Sequence, residues 1–391
     1  MKYKGIFLAA AVGAVAMCAL RLNAPMTAKA DREVGPTATI VQSMFGGQIF
    51  GFDIDQNGTE GVLSEAQDIG AKGKVLAAVE TFDQATGAIL QVVKKLQTKD
   101  DFVTLGIVGN SVGLVEREHV QGLFVAKRIY EELNPVSANK FTGKWKAPLA
   151  SDDIIIGVSR NQGAGGAFTN AVLVFENGGN NDTFVFGTNV TTKKFGSQIV
   201  LTDPTFFFSN GPVMEYDTAT NQAVVAASDG AVGGPAPQIA LVDLTTGSVT
   251  QFTGILGPPP FHQGFVNGLA VDSEDGIAVT TTELDAQVEF YNLKKKSGFA
   301  ILLPGQPGQL QSGENVEYDP VNKLFLIAQP FSSTGPGSSI QVYDTKGNLV
   351  ESLNGFNFPI STSAMFALKP SQRSGFVYGP SSMAELQSFT Y

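Results

Sequence analysis

Residues 267–280 read Asn267-Gly268-Leu269-Ala270-Val271-Asp272-Ser273-Glu274-Asp275-Gly276-Ile277-Ala278-Val279-Thr280. A short apolar strand ends on an aspartate, small and polar residues make a turn, and a second apolar strand leaves it. The same phrase precedes it as Val213-Met214-Glu215-Tyr216-Asp217, then Ala223-Val224-Val225-Ala226. It follows as Asn315-Val316-Glu317-Tyr318-Asp319, then Leu324-Phe325-Leu326-Ile327. The aligned aspartates lie 55 and 47 residues apart (217 to 272 to 319). A looser copy runs from Met365 to Pro370 and on through Gly375 to Tyr378.

A second phrase interleaves with the first. Ile239 to Asp243 leads through Thr246-Gly247, Val288 to Asn292 through Ser297-Gly298, and Ile340 to Asp344 through Lys346-Gly347. Glycine in such turns supplies the positive φ that tight hairpins need. Each unit is therefore two hairpins, or four strands, recurring at about 50 residues, which is the spacing of propeller blades. A four-stranded sheet cannot bury both faces alone, whereas a radial array buries each face against a neighbour. The expectation is an all-β protein, a β-propeller of about seven four-stranded blades, with six and eight open.

The N-terminal half is less regular. Ile49 to Asp55 runs into Asn57-Gly58, Val75 to Thr81 into Phe82-Asp83 and Gly87, and Ala171 to Glu176 into Asn177-Gly178. A first strand near Thr39–Met44 is expected to complete the last blade. Leu114 to Leu133 partly follows a helical period, but strands with irregular edges are the preferred reading.

Lys2 and Lys4, the apolar run Gly5–Leu20 and Ala28-Lys29-Ala30 form a secretory signal pattern, with cleavage expected before Asp31. The run is shorter than a bilayer span and Arg21 closes it. A lipid anchor on Cys18 is the rival, although Val15-Ala16-Met17 suits it poorly. Residues 31–391 are then one domain, expected in the periplasm or outside the cell. Cys18 is the only cysteine, so disulfides and thiolate metal sites are excluded from the mature chain. A net charge of −10 opposes nucleic-acid binding, and two histidines, His119 and His262, limit histidine chemistry.

The repeats resemble secreted propellers of the NHL-repeat and regucalcin/gluconolactonase type, best over Asn267 to Asp272 with Asp275-Gly276. The resemblance implies blade construction over the last half of the chain. It also implies a divalent cation held by Glu, Asn and Asp at the channel mouth. Asn267 falls on the asparagine of that set and Glu314 on the matching register of the next blade, while the first-strand glutamate has no counterpart.

Other motifs have structural readings beside the chemical ones. Gly109-Asn110-Ser111-Val112-Gly113 fits the nucleophile turn of α/β-hydrolases, or a two-residue Asn-Ser turn. Asp53, Asp55 and Asn57 space oxygens like the start of a calcium loop, but position twelve is Ser64 and Glu65 is thirteenth, and a hairpin explains the same residues. Asp217, Asp243, Asp272, Asp319 and Asp344 are expected to bond their own turns. The glycine-rich stretch 163–166 lacks a following Lys-Ser/Thr and reads as a loop. His262, after three prolines, is a candidate ligand-binding residue. The function expected is a binding module for a protein, peptide or glycan, without a cofactor or with calcium. The alternative is a divalent-metal-dependent lactonase-like hydrolase using the channel.

Overall fold

The computed structural model describes residues 39–68, 75–98, 100–108, 111–118, 129–133, 143–146, 149, 153–161, 166–176, 180–189, 192–207, 211–228, 236–254, 265–282, 287–304, 315–329, 338–356, 365–378 and 385–391. The expected leader, residues 1–30, lies outside them.

Among these residues the strands form seven antiparallel sheets. β1 (Ile40–Gln42) opens the chain. Blade one is β2 (Gln48–Ile54), β3 (Glu60–Asp68), β4 (Val75–Asp83) and β5 (Ile89–Thr98). Blade two is β6 (Asp100–Val108), β7 (Ser111–Glu118), β8 (Ile129–Leu133) and β9 (Gly143–Lys146). Blade three is β10 (Ile154–Arg160), β11 (Asn170–Phe175), β12 (Thr183–Asn189), β13 (Lys194–Phe195) and β14 (Ile199–Leu201). Blade four is β15 (Val213–Asp217), β16 (Gln222–Ala227), β17 (Gln238–Asp243) and β18 (Val249–Thr253). Blade five is β19 (Val266–Asp272), β20 (Ile277–Thr282), β21 (Gln287–Asn292) and β22 (Ser297–Leu302). Blade six is β23 (Asn315–Asp319), β24 (Leu324–Gln329), β25 (Ser338–Asp344) and β26 (Leu349–Phe356). Blade seven is β27 (Met365–Lys369), β28 (Ser374–Tyr378) and β29 (Glu385–Thr390).

The first strand of each blade packs against the first strand of the next, and β27 packs against β2, so the seven sheets close into a ring. β1 pairs antiparallel with β29, Val41 opposite Leu386, and supplies the fourth strand of blade seven from the other end of the chain. Blade three keeps the same plan. β13 and β14 both pair with β12, with register partners Thr188–Phe195 and Val185–Ile199, so they are one outer strand interrupted by a bulge.

The core lies in the seams between blades. Leu173, Tyr216 and Val225 pack between blades three and four, and Val224, Val271 and Tyr291 between four and five. Phe290 meets Phe325 edge-on at 5.8 Å between five and six, and Phe82 meets Phe376 at 5.6 Å between one and seven. Such aromatic pairs add about 1 kcal/mol each beyond area burial. Gly268 permits one of these approaches, since a Cβ there would lie 2.8 Å from Asn315 Cα on the next blade. Six of the hairpin turns share one chemistry. An Asp or Asn closes a strand, and the fourth residue on takes positive φ in Gly87, Asn221, Gly247, Gly276, Lys296 and Lys323.

The Gly-x-Ser-x-Gly match falls in a hairpin. Ser111 pairs with Val108, and a strand, not the helix of a nucleophile turn, follows it. The stretch from Leu114 to Leu133 contributes to β7 and β8 at its two ends, with residues 119–128 outside the described set. Among the described residues no helix is long and apolar enough to cross a membrane.

Candidate functional site

Antiparallel alternation gives the ring two unlike faces. The turns joining first to second and third to fourth strands emerge on one, here called lower. The connections joining second to third strands and blade to blade emerge on the other, here called upper.

On the lower face the carboxylates are engaged by backbone. Asp55 Oδ1 accepts from Asn57 N at 2.9 Å and Gly58 N at 3.0 Å. Asp319 Oδ1 accepts likewise from Val321 and Asn322, and Asp272 Oδ1 from Glu274 and Asp275. Asp83, Asp243 and Asp344 repeat the arrangement in the outer turns. Hydrogen bonds from Thr86 and from Thr246 hold the Asp83 and Asp243 carboxyls below the usual range. Neighbouring blades are also stitched together on this face. Tyr391 Oη donates to Asp319 Oδ2 at 2.6 Å, Lys369 Nζ to Gly58 O at 2.7 Å, and Lys323 Nζ lies 3.1 Å from both Glu274 and Asp275. Burial and the Asp319 carboxylate push the Tyr391 hydroxyl far above its ordinary pKa.

Toward the upper face the carboxylates are buried. Glu65 and Glu80 lie on one face of blade one, in its seam with blade seven, 1% and 0% exposed. Glu65 accepts from Phe45 N at 3.1 Å and Gly47 N at 2.8 Å, and Glu80 from Met44 N at 3.0 Å. The pair thus clamps the segment that carries the chain from β1 into β2. Desolvation pushes Glu80 up to about 7, against the Met44 hydrogen bond and with help from the Glu65 charge. Glu289 is the counterpart in blade five, three residues before the turn Asn292 as Glu80 is before Asp83, and accepts from Thr280 Oγ1 at 2.8 Å. Sequence reading missed Glu80 and Glu289. Their signal is a lone carboxylate inside an apolar strand, as in Val79-Glu80 and Val288-Glu289-Phe290.

The candidate residues are dispersed. Asp53 sits within β2, 7% exposed, and its Oδ1 accepts from Ile54 N at 2.8 Å. Asn57 is exposed in the lower turn, so the calcium-loop stretch is a hairpin whose Asp55 is the blade-one equivalent of Asp217, Asp272 and Asp319. Asn267 is the second residue of β19. Its Oδ1, the atom a cation would need, accepts from Thr281 Oγ1 at 2.9 Å, and its buried Nδ2 has no partner. His262 and Glu314 lie outside the described residues. Among the described residues no group of three or more His, Cys, Asp or Glu side chains is placed to hold a metal ion.

No family model and no curated protein matches the chain. Solved propellers share its fold. A structure of U3-55K aligns with a TM-score of 0.59 at 12% identity, over 91% of this chain and 100% of that one. A chain of a mitotic checkpoint complex aligns at 0.56 and 11%, over 95% and 98%. The β-propeller domain of Cps50 (Swd1) from Myceliophteria thermophila aligns at 0.53 and 10%, over 90% and 98%. At these identities the likeness concerns the fold alone.

Proposed function

We propose that this chain is an exported, non-catalytic binding module that engages a protein, peptide or glycan through the upper face of its ring. One observation carries the reading: the turn aspartates of the lower face, Asp55, Asp83, Asp243, Asp272, Asp319 and Asp344, serve as backbone acceptors, and four of the upper connections differ from them in composition. These four, 255–264, 305–314, 330–337 and 357–364, are rich in Gly and Pro, include Phe261, Phe331 and Phe358, and have Glu314 as their one charged residue, whereas 69–74, 119–128, 229–235 and 283–286 carry charge. Uncharged segments with aromatic residues have the composition of a macromolecular interface core. A ring of this build in a mitotic checkpoint complex serves in a protein assembly, which supports the same use here. His262 is part of the sequence of connection 255–264.

Photo-crosslinking side chains placed at 261, 331 and 358, and at lower-face positions 245, 295 and 346, test the reading in the native host. The expected result is one discrete crosslinked species from the upper positions only. Crosslinks confined to the lower positions, or metal-dependent turnover of lactones, would overturn it. Intact mass of the same material is expected to start at Asp31.

A further inference from the structure

We infer that the outer edge of blade five is a docking strand for an extended segment of another protein that ends in acidic residues. This surface is on the rim, apart from the upper face.

Every blade leaves its outermost strand with a row of unpaired backbone groups, and proteins guard such edges with charge, bulges or brevity. Five outer strands here are guarded. β5 pairs with two register shifts. β9 has four residues. The outer strand of blade three is broken by its bulge, β26 carries Glu351 and two register shifts, and β1 has three residues. β18 is regular and uncharged, but its exposed positions are Gln251 and Thr253.

β22 is different. Its six residues, Ser-Gly-Phe-Ala-Ile-Leu, carry no charge and no proline, and they pair with β21 without a register shift. Leu302 is 68% exposed, the most of any large apolar side chain among the described residues, and Phe299 is 43% exposed. Phe299 stacks on Phe290 at 5.2 Å and covers Gly347 of blade six, where a Cβ would come within 2.7 Å of the ring. Exposed Leu349 and Val350 start β26 just beyond, so the apolar strip continues onto the next blade.

The occupant follows from charge. Lys294, Lys295 and Lys296 are exposed in the turn that opens β22, on a chain whose net charge is −10. An antiparallel strand added to this edge brings its C-terminal end to those lysines, so acidic residues belong there. A second copy of this chain fits less well. Self-pairing would set the lysine turn beside Leu302-Leu303-Pro304, which offers no carboxylate.

The test uses the full chain and a synthetic peptide of alternating valine and threonine ending in three glutamates, read by amide hydrogen exchange and calorimetry. Binding is expected to protect residues 297–302 and to leave β18 unchanged. Leu302→Lys, which guards the edge without entering the core, is expected to weaken binding at least about tenfold. The K295E/K296E double variant is expected to do the same at low salt, and the difference should shrink as salt rises. A peptide ending in three lysines should bind at least about tenfold more weakly. The inference is overturned by no protection at about 1 mM peptide. It is equally overturned by equal protection of β18, or by a concentration-dependent dimer that Leu302→Lys abolishes, which would make a second copy the occupant. Crosslinks from the upper face are independent of every one of these outcomes.

Discussion

The two faces of the ring use carboxylates in opposite ways. On the lower face Asp55, Asp83, Asp243 and Asp344 sit at turns, where they accept from backbone amides close by in sequence. In the seam between blades one and seven, Glu65 and Glu80 are buried and accept from amides at sequence separations of 18 to 36 residues. The first arrangement is local, so it repeats with the hairpin and shows in the sequence as Asp followed by Gly three or four residues later. The second is non-local and occurs where the ring must be joined. The lesson is that a turn aspartate in this chain marks a local backbone contact, whereas Glu65 and Glu80 mark a contact made across the sequence.

Removing a lower-face acceptor that also bridges blades should have the largest effect. Asp319 is fully buried and serves Val321 N, Asn322 N, Asn322 Nδ2 and Tyr391 Oη. Asp319→Ala leaves these donors unsatisfied and is expected to cost about 3 kcal/mol in urea unfolding. Asp344 sits in an exposed turn with a similar set of local donors. Asp344→Ala should cost about 1 kcal/mol, because water replaces the lost acceptor. Equal losses at the two sites would break the distinction between bridging and local turns.

The closure seam is sharpened by pH. The Glu80 pKa rises from 4.5 to about 7 on folding, so the folded state holds the extra proton. Its contribution to stability is therefore full below about 4.5 and is lost as pH rises toward 7, the reverse of a salt-bridged carboxylate. Glu80→Gln keeps an acceptor for Met44 N and removes the titration. Relative to the wild type, the variant should gain on the order of 1 kcal/mol between pH 5 and 8 in paired urea titrations. A difference that stays flat across that interval would show that Glu80 is ionised throughout.

Smaller still is the ion pair of Lys323 with Glu274 and Asp275, which is solvent-exposed on both sides. Lys323→Ala is expected to change stability by less than about 0.5 kcal/mol, and Tm should stay within a degree or so of wild type.

Much of the fold was legible because the blade repeats its turn chemistry. Asp217, Asp272 and Asp319 align, and the strand at Thr39–Met44 was expected to close the ring, as β1 does. The bulged outer strand of blade three was not legible, since its pieces, Lys194–Phe195 and Ile199–Leu201, are too short for a periodic pattern. The candidate site was less legible than the fold. Asp53, Asp55 and Asn57 imitate a metal loop because oxygens at alternate positions also suit a strand entering a turn. Glu80 was hidden because its partners, the amides of residues 44–47, become neighbours only when the ring closes. Residues such as His262 draw attention by rarity, which says nothing about convergence with other groups.

The smallest expected effect tests the non-catalytic reading most directly. Thermal unfolding of the purified mature chain should be measured in excess calcium and in excess chelator, beside Asn267→Ala and Asp53→Ala. With its turn aspartates committed to backbone, the chain should melt at the same temperature, within about 1 °C, in both conditions. A calcium shift of several degrees, abolished by Asn267→Ala, would place a cation at the channel mouth and contradict the account. A shift abolished only by Asp53→Ala would contradict it too, by placing the ion in the blade-one hairpin.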